Sequence, residues 1–252
     1  MVTAALIVLV LGYAGVCAFM YAYQRSLQYF PQPARLQDSA KIMRMLTTDG
    51  HTVVSTRPHD GPKAVIYLGG NGEDVTESIA DLDRTFPDSA LYLLQYRGYG
   101  ASDGKPSQDV LFADALELFD KVSMDHGSVT LIGRSLGSGV ATYVASRRPV
   151  ARLVLVTPYD SIQTIAAKRY PWLPVSLLLK DKFESFKYAP EVKAPTLVIA
   201  AEGDATIPLS STERLLGFFR PGIASYRLLR GVGHNTVQQD ADYFPLLSGT
   251  TR

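Results

Sequence analysis

The residues best suited to chemistry are a serine flanked by glycines and, further along the chain, an aspartate and a histidine. Ser135 lies in the segment Gly133-Arg-Ser-Leu-Gly137, whose G-x-S-x-G spacing is typical of a nucleophile elbow, a tight turn that exposes a serine hydroxyl. Serine becomes nucleophilic at neutral pH only when a base accepts its proton and an acid orients that base. The order Ser135, Asp204, His234 along the chain is the order expected after such an elbow, and it predicts a catalytic triad.

The acid and the base lie in loops that follow predicted strands. Asp204 comes shortly after the apolar segment 196–201, and His234 lies in the Gly-rich segment 231–235 after the last predicted strand. Parallel strands end at one edge of their sheet, and the sites of α/β proteins form at that edge. Asp160 follows the preceding predicted strand, so it is an alternative to Asp204 as the acid.

Stabilisation of a tetrahedral oxyanion requires hydrogen-bond donors close to the nucleophile. The backbone N–H of Leu136, the residue after Ser135, is expected to be one of them. The other is expected from Gly70 or Asn71, in the Gly69-Gly-Asn71 loop that follows the third predicted strand. An ordinary β-turn is the alternative interpretation of this loop, and a plain Gly-rich turn is the alternative for the elbow.

Strand-like and helix-like segments alternate along the chain, which predicts the α/β class, a mainly parallel sheet with helices on both faces. Asp49-Gly50 between the first two strands indicates a β-hairpin. The predicted strands are 43–48, 51–57, 64–68, 90–96, 129–132, 152–156, 196–201 and 225–229. Helices are predicted near 72–86, over 108–125, over 140–145 and near 211–219.

The composition excludes several classes of protein. With 252 residues, of which 46% are hydrophobic, the chain is long enough for one α/β domain with a sizeable core. The net charge of +1 gives no electrostatic basis for binding nucleic acid. The histidines have no partner at ligand spacing, so we expect no metal and no cofactor. The single cysteine, Cys17, excludes an intrachain disulfide, and the oligomeric state stays open.

The start of the chain is continuously apolar and carries no charged residue from Ala4 to Tyr23. About 20 helical residues span the roughly 30 Å hydrocarbon core of a bilayer. We therefore expect residues 1–23 to form a membrane anchor, 24–39 a juxtamembrane connector, and 40–252 the catalytic domain. A cleaved signal peptide and a buried core helix are the alternatives.

Basic residues beside the apolar run predict its orientation. Arg25 and Arg35 follow the run, whereas no lysine or arginine precedes it. Because positive residues favour the cytoplasmic side of a membrane, we expect a cytoplasmic catalytic domain on a single-pass anchor.

Several further motifs carry a resemblance to a known family. The elbow, the Gly-Asp-x-x-x-Pro turn at Asp204 and the Gly-x-Gly-His loop at His234 are similar to those of the α/β-hydrolase superfamily. The chain more closely resembles the small membrane-anchored α/β-hydrolase-domain serine hydrolases of the Bem type, over about residues 24–240. The segments that carry this closer resemblance are Gln24-Arg-Ser-Leu-Gln-Tyr-Phe-Pro31, Tyr96-Arg-Gly-Tyr-Gly-Ala-Ser102, Thr157-Pro-Tyr-Asp-Ser-Ile162, Tyr170-Pro-Trp-Leu-Pro174 and Leu178-Leu-Lys-Asp-Lys-Phe183.

The resemblance implies an α/β-hydrolase fold with a short lid, and a serine hydrolase acting on carboxylic esters or thioesters of a small acyl or lipid-like substrate. Two positions depart from the family pattern: Gly69 stands where His is usual, and Gln95 stands where Asp is common. The first departure alters the oxyanion loop but leaves the backbone donor of Asn71. A non-catalytic binding protein on the same scaffold and a serine peptidase are the alternative functions.

The segment 159–194, between the sixth and seventh predicted strands, is expected to form the lid, and we call it the lid segment. It is rich in apolar residues and too short for a large cap domain. Tyr159 and Trp172 are the predicted substrate-binding residues, on an acyl-binding wall near the membrane. Packing against the domain is an equal alternative. Three lysines of the segment are expected to face lipid headgroups or solvent: Lys180, Lys182 and Lys187.

Overall fold

The computed structural model describes residues 1–33 and 41–250. Within these ranges the strands are β1 (Lys41–Thr47), β2 (Gly50–Arg57), β3 (Lys63–Leu68), β4 (Ala90–Gln95), β5 (Ser128–Arg134), β6 (Arg152–Val156), β7 (Thr196–Ala201) and β8 (Ala224–Leu229). The helices are α1 (Val2–Gln28), α2 (Ile79–Thr85), α3 (Gln108–Asp125), α4 (Leu136–Arg147), α5 (Ile162–Arg169), α6 (Val175–Leu178), α7 (Ser185–Tyr188), α8 (Leu209–Leu216) and α9 (Tyr243–Ser248). Short 3₁₀ turns lie at Val75–Ser78, Ala189–Glu191 and Val237–Gln239.

The strands form one sheet in the order β1-β2-β4-β3-β5-β6-β7-β8. β2 pairs antiparallel with β1 and with β4, and the remaining neighbours pair in parallel. The predicted hairpin is present, with Thr47 opposite Gly50. β5 lies between β3 and β6, so its carboxyl end lies between the loops that follow those two strands.

Helices cover both faces of the sheet, and the predicted α/β class is therefore confirmed. Leu118 of α3 and Val140 of α4 are fully buried in the core of one face. Leu82 of α2 and Leu247 of α9 belong to the core of the other face. α3 has the predicted bounds because its apolar residues recur at helical spacing and Ser107 caps its first turn.

α1 has the length and composition of a membrane span. Its most apolar window has a mean hydropathy of 2.4, and none of that window is buried within the protein. The helix continues to Gln28, so the first part of the predicted connector 24–39 is helical. The chain leaves the helix at Tyr29, two residues before Pro31, which cannot continue it. Positions 34–39 of that connector lie outside the described residues.

The lid segment contains three short helices, α5 to α7, and contacts the end of α1. The Gln24 side chain donates to the carbonyl of Leu178 at 2.9 Å. Arg25 donates twice to the carboxylate of Asp181, at 2.8 and 3.1 Å, and the Tyr29 hydroxyl donates to the same carboxylate at 3.1 Å. Asp181 is 3% exposed, so these bonds join α1 to a carboxylate of the lid segment that is largely protected from water.

Candidate active site

Ser135 lies in a strained turn between β5 and α4. Its backbone has φ 49° and ψ −116°, a conformation that a residue with a side chain rarely adopts and that is often found at functional sites. Its N–H donates to the carbonyl of Val156 at 2.9 Å, which fixes the turn to β6. The flanking glycines are required, because a Cβ at Gly137 would collide with the carbonyl of Leu68 and one at Gly133 with that of Gly137.

The structure brings the three predicted triad residues together. The distance from Ser135 Oγ to His234 Nε2 is 2.9 Å, and that from His234 Nδ1 to Asp204 Oδ2 is 2.8 Å. With the imidazole proton on Nδ1, the ring donates to Asp204 and accepts from the serine hydroxyl. The side chains of His234 and Asp204 are 10% and 2% exposed, so solvent competes little for these hydrogen bonds.

The loop after β7 holds the aspartate in place. Asp204 Oδ1 accepts the N–H groups of Thr206 and Ile207, at 2.8 and 2.7 Å, which leaves Oδ2 for the histidine. The N–H of Gly203 donates to the carbonyl of Val232 at 2.9 Å. The loop that carries Asp204 is therefore hydrogen-bonded directly to the loop that carries His234.

Asp160, the alternative acid, has other partners. Its carboxylate accepts a short hydrogen bond from Ser211 Oγ and lies 2.9 Å from Arg214 Nε. The carboxylate that contacts His234 belongs to Asp204, so the geometry favours Asp204.

The donors predicted for an oxyanion differ in availability. The N–H of Leu136 is the first of α4, and helix geometry leaves such a donor without an intrahelical acceptor. Gly70 lies beside the serine, since a Cβ on Gly70 would be 3.5 Å from Ser135 Cβ. Its N–H, however, donates to Glu73 Oε2 at 2.7 Å. The prediction that Gly70 provides an oxyanion donor therefore needs correction, because a carboxylate already occupies that N–H.

Glu73 and Arg134 join the loops of the site, and neither residue was predicted from the sequence. Arg134 Nη1 lies 2.8 Å from Glu73 Oε2, and Arg134 Nη2 donates to the carbonyl of His234 at 3.3 Å. Burial and the neighbouring negative charge of Glu73 raise the pKa of the Tyr67 hydroxyl well above its usual value, and this hydroxyl donates to Glu73 Oε1 at 2.6 Å. The only sequence signal for this pair was the position of Arg134 inside the elbow.

Asn71 connects the loop after β3 to the end of α1. Its Nδ2 donates to the carbonyl of Gln28 at 2.6 Å. Its Oδ1 accepts the N–H of Phe30 at 3.0 Å and the hydroxyl of Tyr99 at 2.6 Å. Burial raises the pKa of Tyr99 to about 12, so the hydroxyl remains a donor at neutral pH. The side chain of Asn71 thus holds the loop against the end of α1 and Tyr99, and its backbone N–H takes no part in these contacts.

The two residues predicted to bind substrate occupy different environments. Tyr159 is completely buried, and its hydroxyl donates to the carbonyl of Leu136 at 3.0 Å. This position does not suit contact with substrate; Tyr159 supports the first turn of α4 instead. Trp172 is 56% exposed, and its carbonyl accepts a hydrogen bond from the hydroxyl of Tyr13 in α1 at 2.9 Å. The backbone of Trp172 therefore contacts α1, its side chain is largely exposed, and its role in substrate binding stays a prediction.

Comparison with known proteins identifies the family. Residues 64–183 match the family model described as alpha/beta hydrolase fold. An uncharacterized protein of Mycobacterium tuberculosis is 32% identical over 240 residues, which cover 88% of this chain and 84% of that protein. The esterase Pf2001 of Pyrococcus furiosus superimposes with a TM-score of 0.68 at 16% identity, covering 88% of this chain and 96% of the esterase. The fold is that of an α/β hydrolase, and the chain belongs to the α/β-hydrolase family.

One relative has a more specific name. The lysophosphatidylserine lipase ABHD12 of Xenopus tropicalis is 28% identical over 181 residues. The match covers 62% of this chain and 47% of the lipase, so the matched region is about half of that relative.

Proposed function

We propose that the protein is a serine hydrolase that cleaves carboxylic esters or thioesters. The observation that carries this proposal is the continuous line of hydrogen bonds from Ser135 through His234 to Asp204. A serine activated by a histidine, itself oriented by a carboxylate, is the arrangement that performs acyl transfer. A purely structural or binding role would not require all three groups to be aligned.

In the proposed reaction, His234 Nε2 accepts the hydroxyl proton as Ser135 Oγ attacks the substrate carbonyl carbon. Asp204 stabilises the resulting imidazolium, and the N–H groups of Leu136 and Asn71 hold the oxyanion. The tetrahedral intermediate then expels the alcohol or thiol, which takes the proton from His234 and leaves an acyl group on Ser135. Water, deprotonated by His234, attacks that acyl group, and the serine regains its proton as the carboxylic acid departs.

A lipid-like substrate at a membrane is the second element of the proposal. α1 is long and apolar enough to anchor the chain in a bilayer, and one relative is named as a lysophosphatidylserine lipase. We propose a cytoplasmic domain, on the basis of Arg25 and of Arg35, which lies outside the described residues. Digestion of the domain by protease added outside intact spheroplasts would contradict that orientation but would leave the chemistry untouched.

Covalent labelling tests the nucleophile. A fluorophosphonate probe should label the wild-type protein and a Ser146→Ala control, whose hydroxyl lies at the far end of α4 and donates to the carbonyl of Tyr143. Ser135→Ala should not be labelled. Wild-type protein that is folded and yet unlabelled would refute the serine mechanism. A panel of p-nitrophenyl esters, acyl-CoA thioesters and peptide substrates would then identify the bond that is cleaved.

A further inference from the structure

A groove lies between the end of α1 and the lid segment, outside the triad. It has a volume of about 300 Å³. One wall is formed by α1, including Met20 and Leu27, and the other by the lid segment, including Ile162, Ala166 and Leu173. Pockets of about 300 Å³ and above that are lined mostly by apolar side chains are typical small-molecule sites. These apolar walls suit a hydrocarbon chain rather than a polar group.

The α1 wall of the groove contacts the loop after β3. Gln28 lines the groove, and its carbonyl accepts the hydrogen bond from the Asn71 side chain. Asn71 follows Gly70, the residue beside Ser135. The α1 wall of the groove is therefore hydrogen-bonded to the loop that we propose holds the oxyanion.

The other wall belongs to a segment that contacts Leu136. Ile162 begins α5 and lines the groove, three residues after Tyr159. The hydroxyl of Tyr159 is bonded to Leu136, the residue next to the nucleophile. Both walls therefore belong to segments that hydrogen-bond to loops beside Ser135, which is the arrangement expected if a chain lying in the groove extends from an ester held at the serine.

The groove also lies where α1 is expected to leave the bilayer. Lys180 Nζ lies 4.0 Å from the centre of the Tyr21 ring, close to Gln24, which lines the groove. Tyrosine and lysine side chains are favoured at the boundary between hydrocarbon and water. The ester groups of membrane lipids lie at that boundary, with their acyl chains directed away from water.

We propose that this groove binds the acyl chain of a membrane-resident ester, so that the anchor helix itself forms one wall of the acyl site. The inference rests on the proposed serine hydrolase function and names the substrate class of that same site. Each methylene moved from water into such a groove strengthens binding by up to about fourfold. Long-chain esters are therefore the preferred substrates, and short esters react at the triad without using the groove.

Two alkyl fluorophosphonates, with butyl and dodecyl chains, test the proposal in the full-length protein in mixed micelles. The wild type should react at least about tenfold faster with the dodecyl probe than with the butyl probe. Ala166→Trp fills the groove and should abolish that preference, so that the dodecyl probe reacts no faster than the butyl probe. Ala167→Trp is the matched control, because Ala167 is the next residue of α5 and is exposed to solvent. It should behave as the wild type.

A second variant distinguishes filling of the groove from misfolding. Leu27→Trp narrows the groove from the α1 wall, where the side chain is 51% exposed, and should have the same effect as Ala166→Trp. If neither variant changes the chain-length preference, or if both slow the two probes equally, the acyl site is wrong. A wild type that reacts with both probes at the same rate would also refute the acyl site. A wild type that reacts with neither probe would instead refute the serine hydrolase function on which the inference rests.

Discussion

Two carboxylates at the edge of the sheet, Asp160 after β6 and Asp204 after β7, occupy similar positions and have different partners. Their side chains are 6% and 2% exposed. Asp160 pairs with Arg214, a permanent cation, whereas Asp204 contacts His234, whose charge changes during a proton transfer. A carboxylate at the carboxyl edge of the sheet is therefore a candidate for the catalytic acid, and the residue that it contacts determines whether it suits that role.

Glu73, after β3, extends the comparison. Like Asp160 it pairs with an arginine, Arg134. Unlike Asp160, it also accepts the N–H of Gly70, and its arginine donates to the carbonyl of His234. This pair lies between two loops of the proposed site. Its removal should disturb geometry without removing a reacting group.

The largest effect is expected for Asp204→Asn. An amide neither fixes the required imidazole tautomer nor stabilises the imidazolium, so kcat should fall by about 10⁴-fold. The variant should stay folded, because the amide oxygen retains the bonds from Thr206 and Ile207. Turnover of p-nitrophenyl acetate measures the fall in kcat, and a circular-dichroism melt measures whether the variant stays folded. Activity within tenfold of the wild type would show that Asp204 is not the acid.

A smaller loss of activity is expected for Glu73→Gln. The change removes the ion pair with Arg134 and loosens the loop that carries Gly70 and Asn71, and misplacement by about 1 Å costs on the order of 10²-fold in rate. The loss should appear in kcat, with KM for the acetate ester nearly unchanged. A rise in kcat would contradict this, because it would mean that Gly70, once released from the carboxylate, acts as a better oxyanion donor.

Asp160→Asn should affect stability rather than activity. It leaves Arg214 without its anionic partner, but the arginine side chain is 38% exposed and can reach water. We expect unfolding to become easier by about 1–3 kcal/mol, measured by urea denaturation, with the acetate turnover unchanged. If Asp160→Asn abolished turnover and Asp204→Asn did not, the roles assigned to the two carboxylates would have to be exchanged.

The smallest effect is expected for Asp120 and Arg148, a carboxylate–arginine pair that is exposed to solvent. Asp120 accepts two hydrogen bonds from Arg148, at 2.6 and 2.7 Å, and these lower the pKa of Asp120. A carboxylate with a lowered pKa stabilises the fold above its unfolded-state pKa of about 3.9, and that contribution disappears as the pH falls. The Asp120 side chain is 50% exposed. Arg148→Ala should therefore cost less than about 1 kcal/mol at pH 7 and less still at about pH 3, in paired urea titrations. An equal loss at both pH values would assign the effect to packing.

Helices and strands with a regular apolar pattern, or with a clear residue at which they begin or end, were predictable from the sequence. α3, β6 and β7 have the predicted bounds, because their apolar patterns end at a capping residue, at a glycine or at a proline. The positions of Ser135, Asp204 and His234 after predicted strands also indicated that the three side chains would lie close together, as they do, since strand ends in a parallel sheet converge.

Contacts between distant segments were not predictable. Glu73 and Arg134 are 61 positions apart, and no local pattern relates them. The burial of Tyr159 depends on Gly139, where a Cβ would collide with the tyrosine hydroxyl, a fit that only the folded chain reveals. The continuation of α1 through Gln24 and Arg25 similarly depends on their bonds to the lid segment, because their polarity alone suggested the end of the apolar helix.

The attachment of α1 to Asp181 has a consequence for how substrate is found. A flexible tether would let a domain rotate above the bilayer and present its opening in any direction. Here Arg25 and Tyr29 bond to the lid segment immediately at the end of the helix, which removes most of that rotational freedom. With α1 inserted in the bilayer as proposed, the groove beside the lid segment keeps one orientation towards one leaflet. The search for substrate is then lateral diffusion in two dimensions, and a lipid reaches the domain without crossing bulk water.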